Sequence, residues 1–182
     1  MFTYKKKSYY GKGFTLLELM VTVVIAGILA SMAVPSFTQA IKNNRMSTQI
    51  NELLATFNYA RSEAIKRSNR ISVCNSSDGT SCSGIWKNGW IVFVDTNSNG
   101  AVDGEDVLRV HKELSGGNTM VFADSADTYI NYESNGLAKL AGTFTLCDSR
   151  GDTDKKVIKF SSTGQTRVVP VSEYGSLTTS CS

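Results

Sequence analysis

Hydrophobic and polar positions change their spacing twice along this chain, and each change marks a different kind of element. From Phe14 to Phe37 apolar side chains occur on every face of a helical wheel, and Glu18 is the only ionisable group. At about 1.5 Å per residue this run reaches roughly 36 Å, enough to cross a hydrocarbon core of about 30 Å. Further on, Met46, Ile50, Leu53, Phe57, Ala60 and Ala64 recur at alternating steps of four and three, the mark of a helix apolar on one face. Lys42, Arg45, Arg61 and Arg67 fall mostly off that stripe. After Arg70 the period drops to two. Candidate strands are Ile71 to Cys74, Trp90 to Val94, Val107 to His111, Tyr129 to Tyr132, Thr143 to Cys147, Val157 to Phe160 and Arg167 to Val171, separated by Gly, Asn, Ser and Asp clusters.

The pattern predicts an α+β chain: a long N-terminal α-helix, transmembrane and then amphipathic, packed on a C-terminal antiparallel β-sheet head of six or seven strands. Its segments are residues 1–13, 14–37, 38–70 and 71–182. Ser161 to Gln165 reads as a hairpin connection in which Gly164 supplies the positive φ. Pro170 lacks an N–H and belongs at a strand end or edge. Pro35 removes a helical hydrogen bond and crowds the preceding turn, which predicts a break, kink or weak segment there.

Charge sharpens the N-terminal pattern. The thirteen residues before Phe14 carry four lysines and no acid, and they end in Gly11-Lys12-Gly13. Such a basic leader stays on the cytoplasmic side of a membrane. An ionised carboxylate in lipid costs a few kcal/mol or more and calls for a partner. Cleavage between Gly13 and Phe14 would create one, because the new α-amine lies four residues, about one turn, from Glu18. A secretory signal would instead be cut after the apolar run, and Ala30, Ser31 and Ala33 offer the small residues for that alternative.

Gly13-Phe14-Thr15-Leu16-Leu17-Glu18-Leu19, with Pro35 beyond it, resembles the prepilin motif of type IV pilins and type II secretion pseudopilins. That resemblance implies cleavage after Gly13 by a prepilin peptidase, N-methylation of Phe14, and use of Glu18 in filament assembly. It also implies that the helix can loosen near Pro35 on assembly. In the head, Ala60-Arg-Ser-Glu-Ala-Ile-Lys-Arg, Asn88-Gly-Trp-Ile-Val-Phe-Val-Asp95 and Ile158-Lys-Phe-Ser-Ser-Thr-Gly164 resemble the GspH/FimT/FimU group of minor pilins and pseudopilins.

The group implies a low-abundance subunit that helps prime a type IV pilus. Its partners would be other minor pilins, the major pilin or pseudopilin, membrane lipid and an inner-membrane assembly platform. The expected location is the inner membrane, single-pass with a periplasmic head, and then the pilus or pseudopilus at the cell surface. Two alternatives are a FimT-like DNA-binding pilin for natural transformation and a GspH-like minor pseudopilin of a type II secretion system.

The formal net charge of +3 includes the leader, and after Gly13 the balance is 15 basic against 16 acidic residues. From Ile71 onward it is nine against thirteen, which argues against a nucleic-acid-seeking head by charge alone. The basic belt lies between Lys42 and Arg70, where six basic residues face only Glu52 and Glu63. Four cysteines in an exported segment favour disulfides, and they permit three pairings. We favour Cys74 with Cys82 and Cys147 with Cys181, each bridge adding about 2 to 4 kcal/mol, with free buried thiols as the alternative.

Two loops suggest binding chemistry. Asp95, Asn97, Asn99 and Asp103 stand at positions one, three, five and nine of a calcium-type loop, with Gly100 at six and Asp106 where a bidentate glutamate normally closes the shell. Glu105 could substitute, and a solvated turn between strands is the simpler reading. FimT-type members carry a Gly-Arg-x-Arg element, which this chain resembles only as Gly164-Gln165-Thr166-Arg167. Lys155, Lys156 and Lys159 would supply phosphate contacts beside Arg167, the alternative being an exposed hairpin with solvated lysines. His111 is the one histidine and stands near no nucleophile motif, and Gly116-Gly117 reads as a turn, so no enzymatic reading is favoured and no cofactor beyond possible Ca²⁺ is expected.

Overall fold

The computed structural model of the chain describes residues 13–123, 129–176 and 180–181, so the leader lysines lie outside the described residues. Helix α1 runs from Leu16 to Arg67 as one element. The chain divides into an N-terminal unit ending at Ile41 and a head from Lys42 to Ser182.

The N-terminal unit is helix alone. Every described side chain from Gly13 to Ile41 is exposed, including Phe14, Leu17, Val24, Ile28 and Phe37. Helix α1 continues through Pro35 without interruption of its helical run. A proline removes only its own rung, the bond to the Ser31 carbonyl, while the flanking rungs on both sides remain. Thr38 Oγ1 donates to the Val34 carbonyl at 3.0 Å, adding a local contact beside the gap.

In the head the rest of α1 meets eight strands: β1 (Ile71–Asn75), β2 (Trp90–Val94), β3 (Val107–His111), β4 (Thr119–Ala123), β5 (Tyr129–Tyr132), β6 (Gly142–Cys147), β7 (Lys156–Phe160) and β8 (Thr166–Val169). They form two four-stranded sheets, ordered β3-β2-β1-β5 and β4-β6-β7-β8, with every pairing antiparallel. The sequence pattern anticipated one sheet and missed β4. That strand follows a Gly-Gly-Asn turn, and only Met120 among its five residues is fully buried, so its alternation is faint. Strand β8 stops at Val169, one residue before Pro170.

The six stripe residues Met46, Ile50, Leu53, Phe57, Ala60 and Ala64 are all buried. They share one core with Val73, Trp90, Val92 and Ile130 from the first sheet and Phe144, Ile158 and Phe160 from the second. Phe57 lies 5.4 Å from Phe144 and 5.8 Å from Phe160 between ring centroids. Each fully buried side chain of this size contributes roughly 1.5 to 3 kcal/mol. A smaller cluster of Cys74, Ile91 and Phe93 occupies the outer face of the first sheet, covered by Val102, Val107 and Tyr129. Strand β1 is therefore buried on both faces.

Arg61 on α1 fastens the two sheets together. Its Nε donates to the Gly136 carbonyl at 3.0 Å and its Nη2 to the Thr163 carbonyl at 3.3 Å, joining the turn after β5 to the β7–β8 hairpin. The turns approach so closely that a Cβ at Gly164 would collide with the Gly136 carbonyl oxygen. Gly164 also has φ +76°, whereas Gly151 has φ +71° with open space around it. Gly151→Ala is expected to cost about 1 kcal/mol through backbone strain alone, and Gly164→Ala at least about twice as much because a backbone atom must also move. Urea unfolding of the two variants measures the difference.

Candidate functional site

The prepilin-like segment enters the helix at its first turn. Thr15 acts as its cap, with Thr15 Oγ1 accepting the Glu18 backbone N–H at 3.2 Å. Thr-x-x-Glu is the sequence form of a capping box, so Thr15 and Glu18 are spaced for the first turn of a helix. Sequence reasoning passed over Thr15, although this spacing is a recognised start signal. Gly13 and Phe14 precede the helix, so the bond between them lies in non-helical backbone, the form a peptidase can take into its cleft. A Cβ on Gly13 would meet no atom within 4 Å, and Phe14 is 82% exposed. Glu18 follows one turn into the only helix, among the described residues, that is long and apolar enough to cross a membrane.

The four cysteines are paired as Cys74–Cys82 and Cys147–Cys181, closing separations of 8 and 34 residues. The first bridge holds a loop whose turn is organised by Asp78. That carboxylate accepts from the Thr80 and Ser81 N–H groups and the Ser81 hydroxyl, and these bonds hold it well below the usual carboxylate range.

Asp95 is fully buried and its carboxylate is surrounded by donors. It accepts from the Ser72 hydroxyl at 2.6 Å, the Asn99 N–H at 3.1 Å, the Gly100 N–H at 3.2 Å and the Asn131 amide at 3.4 Å. Asn97 and Asn99 turn their amides toward Asp103, at 3.3 and 2.6 Å, and Glu105 accepts the Asp103 N–H at 2.6 Å. Asp106 offers its carbonyl to the Val94 N–H. The loop thus brings Asn97, Asn99 and Asp103 together and turns Asp95 away into the sheet. Among the described residues no three His, Cys, Asp or Glu side chains converge as metal ligands.

The four cations proposed for phosphate contact do not share one surface. Lys159 and Arg167 are direct cross-strand partners on β7 and β8. Lys156 alternates onto the other face of β7, and Lys155 lies before the strand, bonded to Asp152 at 3.1 Å. Arg167 holds Glu173 at 2.7 Å, and this contact keeps the Glu173 carboxyl below its ordinary range. His111 is structural: its ring stacks on Trp90 at 3.8 Å, with Nε2 3.1 Å from a Glu52 oxygen.

These features, a capped apolar helix behind Gly13-Phe14 and a two-sheet head closed on the same helix, define a pilin-type fold. A family model described as "Type II transport protein GspH" matches residues 49–164, and one for the "Prokaryotic N-terminal methylation motif" matches residues 10–34. The chain belongs to the GspH family. The type IV minor pilin FimU of Pseudomonas aeruginosa superposes with a TM-score of 0.58 at 26% identity, over 72% of this chain and 92% of that one. The minor pseudopilin EpsH of the Vibrio cholerae type 2 secretion system shares the fold, with a TM-score of 0.50 at 13% identity over 69% and 96% of the two chains. Fimbrial protein Q of Moraxella bovis is 43% identical over 44 residues, 24% of this chain and 28% of that protein. The match spans less than half the length of each such curated relative.

Two predictions concern the head's buried carboxylates. Asp95→Ala strands several buried donors and is expected to lower stability by about 3 kcal/mol, while Asp103→Ala, at an exposed position, stays within about 0.5 kcal/mol. Chemical denaturation compares them.

The Asp148 side chain is 3% exposed and accepts from Arg150 Nη2 at 2.6 Å, a bond that lowers its carboxyl against the opposing effect of burial. A depressed folded value gives stability that is complete above the unfolded carboxyl pKa of about 3.9 and is lost as pH falls through the folded one. The stability gap between wild type and Asp148→Asn should therefore be constant from pH 7 to about 5 and narrow below about 4. Urea titrations across that range measure it.

Proposed function

We propose that this chain is a minor pilin, cut between Gly13 and Phe14, methylated on Phe14, and incorporated into a type IV pilus through α1. The carrying observation is the apolar surface from Leu16 to Ile41, exposed on all sides of the helix with Glu18 as its one charge. A helix apolar all round needs lipid or other helices around it. In the precursor lipid serves, with the basic leader inside and the head outside. In the filament, neighbouring helices replace the lipid, and the new α-amine of one subunit neutralises Glu18 within or between chains.

FimU, itself a minor pilin, is the better structural likeness and supports the pilus reading over a secretion pseudopilus. A nucleic-acid track is less favoured, because Lys155 and Arg167 already hold Asp152 and Glu173. The proposed role is to help prime and assemble the pilus alongside other pilins at the inner-membrane platform.

Intact-mass analysis of membrane-extracted protein is expected to give a chain beginning at Phe14 and carrying one extra methyl group. Any other mature N-terminus contradicts the reading. Glu18→Ala should still be cut but enter pili about tenfold less, since a lost pairing of only about 1.4 kcal/mol changes an equilibrium by that factor. Quantitative immunoblots of sheared pili read the outcome.

A further inference from the structure

The head carries one basic cleft that assembly through α1 leaves unused. It lies beside the edge strand β8, has a volume of about 440 Å³, and is lined by Asn58, Arg61, Lys159, Gln165, Thr166 and Arg167 among others. Three of these are cations drawn from three elements. Arg61 is held in place by two turn carbonyls, with no hydrogen bond from its Nη1 among the described residues. Lys159 is exposed and makes no hydrogen bond or ion pair among the described residues.

Arg167 shows how the cleft treats an acid, because it holds the Glu173 carboxylate with bonds of 2.7 and 3.4 Å. Beside it, β8 is a sheet edge, and its open side offers backbone groups to an extended segment. Pro170 limits that edge to four residues, Thr166–Val169, so only a short segment can pair. Val168 is 39% exposed and lies on the opposite face of β8 from Lys159 and Arg167, so it gives the alternate side of such a segment one apolar contact.

Ligand size decides between a polyanion and a local acid. A long nucleic acid feels the whole head, which carries nine basic and thirteen acidic residues from Ile71 onward, out to a screening length of about 8 Å. A carboxylate seated in the cleft is met by Arg61 and Lys159, Arg167 being already paired with Glu173. We propose that this cleft docks a short, extended, carboxylate-bearing segment from the head of a neighbouring pilin-type subunit. The inference rests on the filament reading above, and it assigns to the head a contact that α1 does not make.

Carbodiimide treatment of pili containing the full-length chain, followed by peptide mass spectrometry, tests it. The expected product is an amide between Lys159 Nζ and an Asp or Glu of an adjacent pilin. Lys159→Arg should lose that link and keep wild-type abundance in pili. Lys159→Glu should fall several-fold in pili while its thermal unfolding is unchanged.

A chain present in pili whose Lys159 is unlinked, or is joined only to its own Glu173, overturns the inference and leaves the filament reading standing. So does wild-type abundance of Lys159→Glu. Tight retardation of short duplex DNA at physiological salt, abolished by Lys159→Glu with no protein link, overturns it in favour of a nucleic acid. Absence of the chain from pili, with Gly13 still attached, defeats the filament reading and this inference with it.

Discussion

One helix must be removed from water twice, by different means, and the rest of the structure depends on that constraint. From Met46 to Ala64 the chain does so itself, because a single apolar stripe meets two sheets. From Leu16 to Ile41 it does not, since apolar groups point in every direction and every described side chain there is exposed. The difference lies in side-chain distribution. A stripe is satisfied by one layer on one side, whereas an all-round apolar helix needs a surrounding medium. Small residues sit at the seam: Ala60 and Ala64 are buried there, beside Arg61, which reaches both turns.

The segment read in the sequence as a candidate calcium loop also helps to close the head. The segment from Asp95 to Asp106 covers the outer face of the first sheet, with Val102 on the small cluster and the Tyr129 hydroxyl bonded to the Ser98 carbonyl. A buried carboxylate needs its lone pairs filled, and Ser72, Asn131 and two backbone amides fill those of Asp95. The loop after β6 is likewise bound to α1. Arg150 donates to Asn43 at 2.8 Å, and Lys42 donates to Ser149 at 2.9 Å. Part of the basic belt therefore anchors the fold.

Periodicity made the helix and seven strands legible, because burial on one face leaves a repeat of 3.6 or 2 in the residues themselves. Strand β4 was missed for the same reason: with Thr119 and Val121 exposed and Phe122 and Ala123 only half-buried, its pattern is weak. Division into two sheets was not legible, since pairing partners are set by long-range contacts such as the Ala138 N–H to the Ser162 carbonyl. Pro35 stands inside the continuous run of α1, as losing one rung does not end a helix whose other rungs persist. At the assembly motif, Gly13, Phe14 and Glu18 stood out because charge and hydrophobicity change abruptly there. Thr15 did not, because a cap shows only in its spacing from the third helical residue.

Apolar association is non-directional, so a helix made of Leu, Val, Ile and Ala discriminates poorly among neighbours with helices of the same kind. If Glu18 pairs with a neighbour's amine as proposed, it adds a requirement for register, yet every subunit with a comparable acid and amine meets it equally. On the proposed reading, membership of a filament is decided by the N-terminal unit, whereas the choice of neighbour falls to the head. Discrimination there needs charges and hydrogen-bonding groups that favour one partner and penalise others. On the proposed reading the exposed cations beside β8 supply such groups, next to the two turns that Arg61 ties together. A low-abundance subunit has more need of such selectivity than an abundant one, because it must find particular neighbours against a background of helices that would all pack.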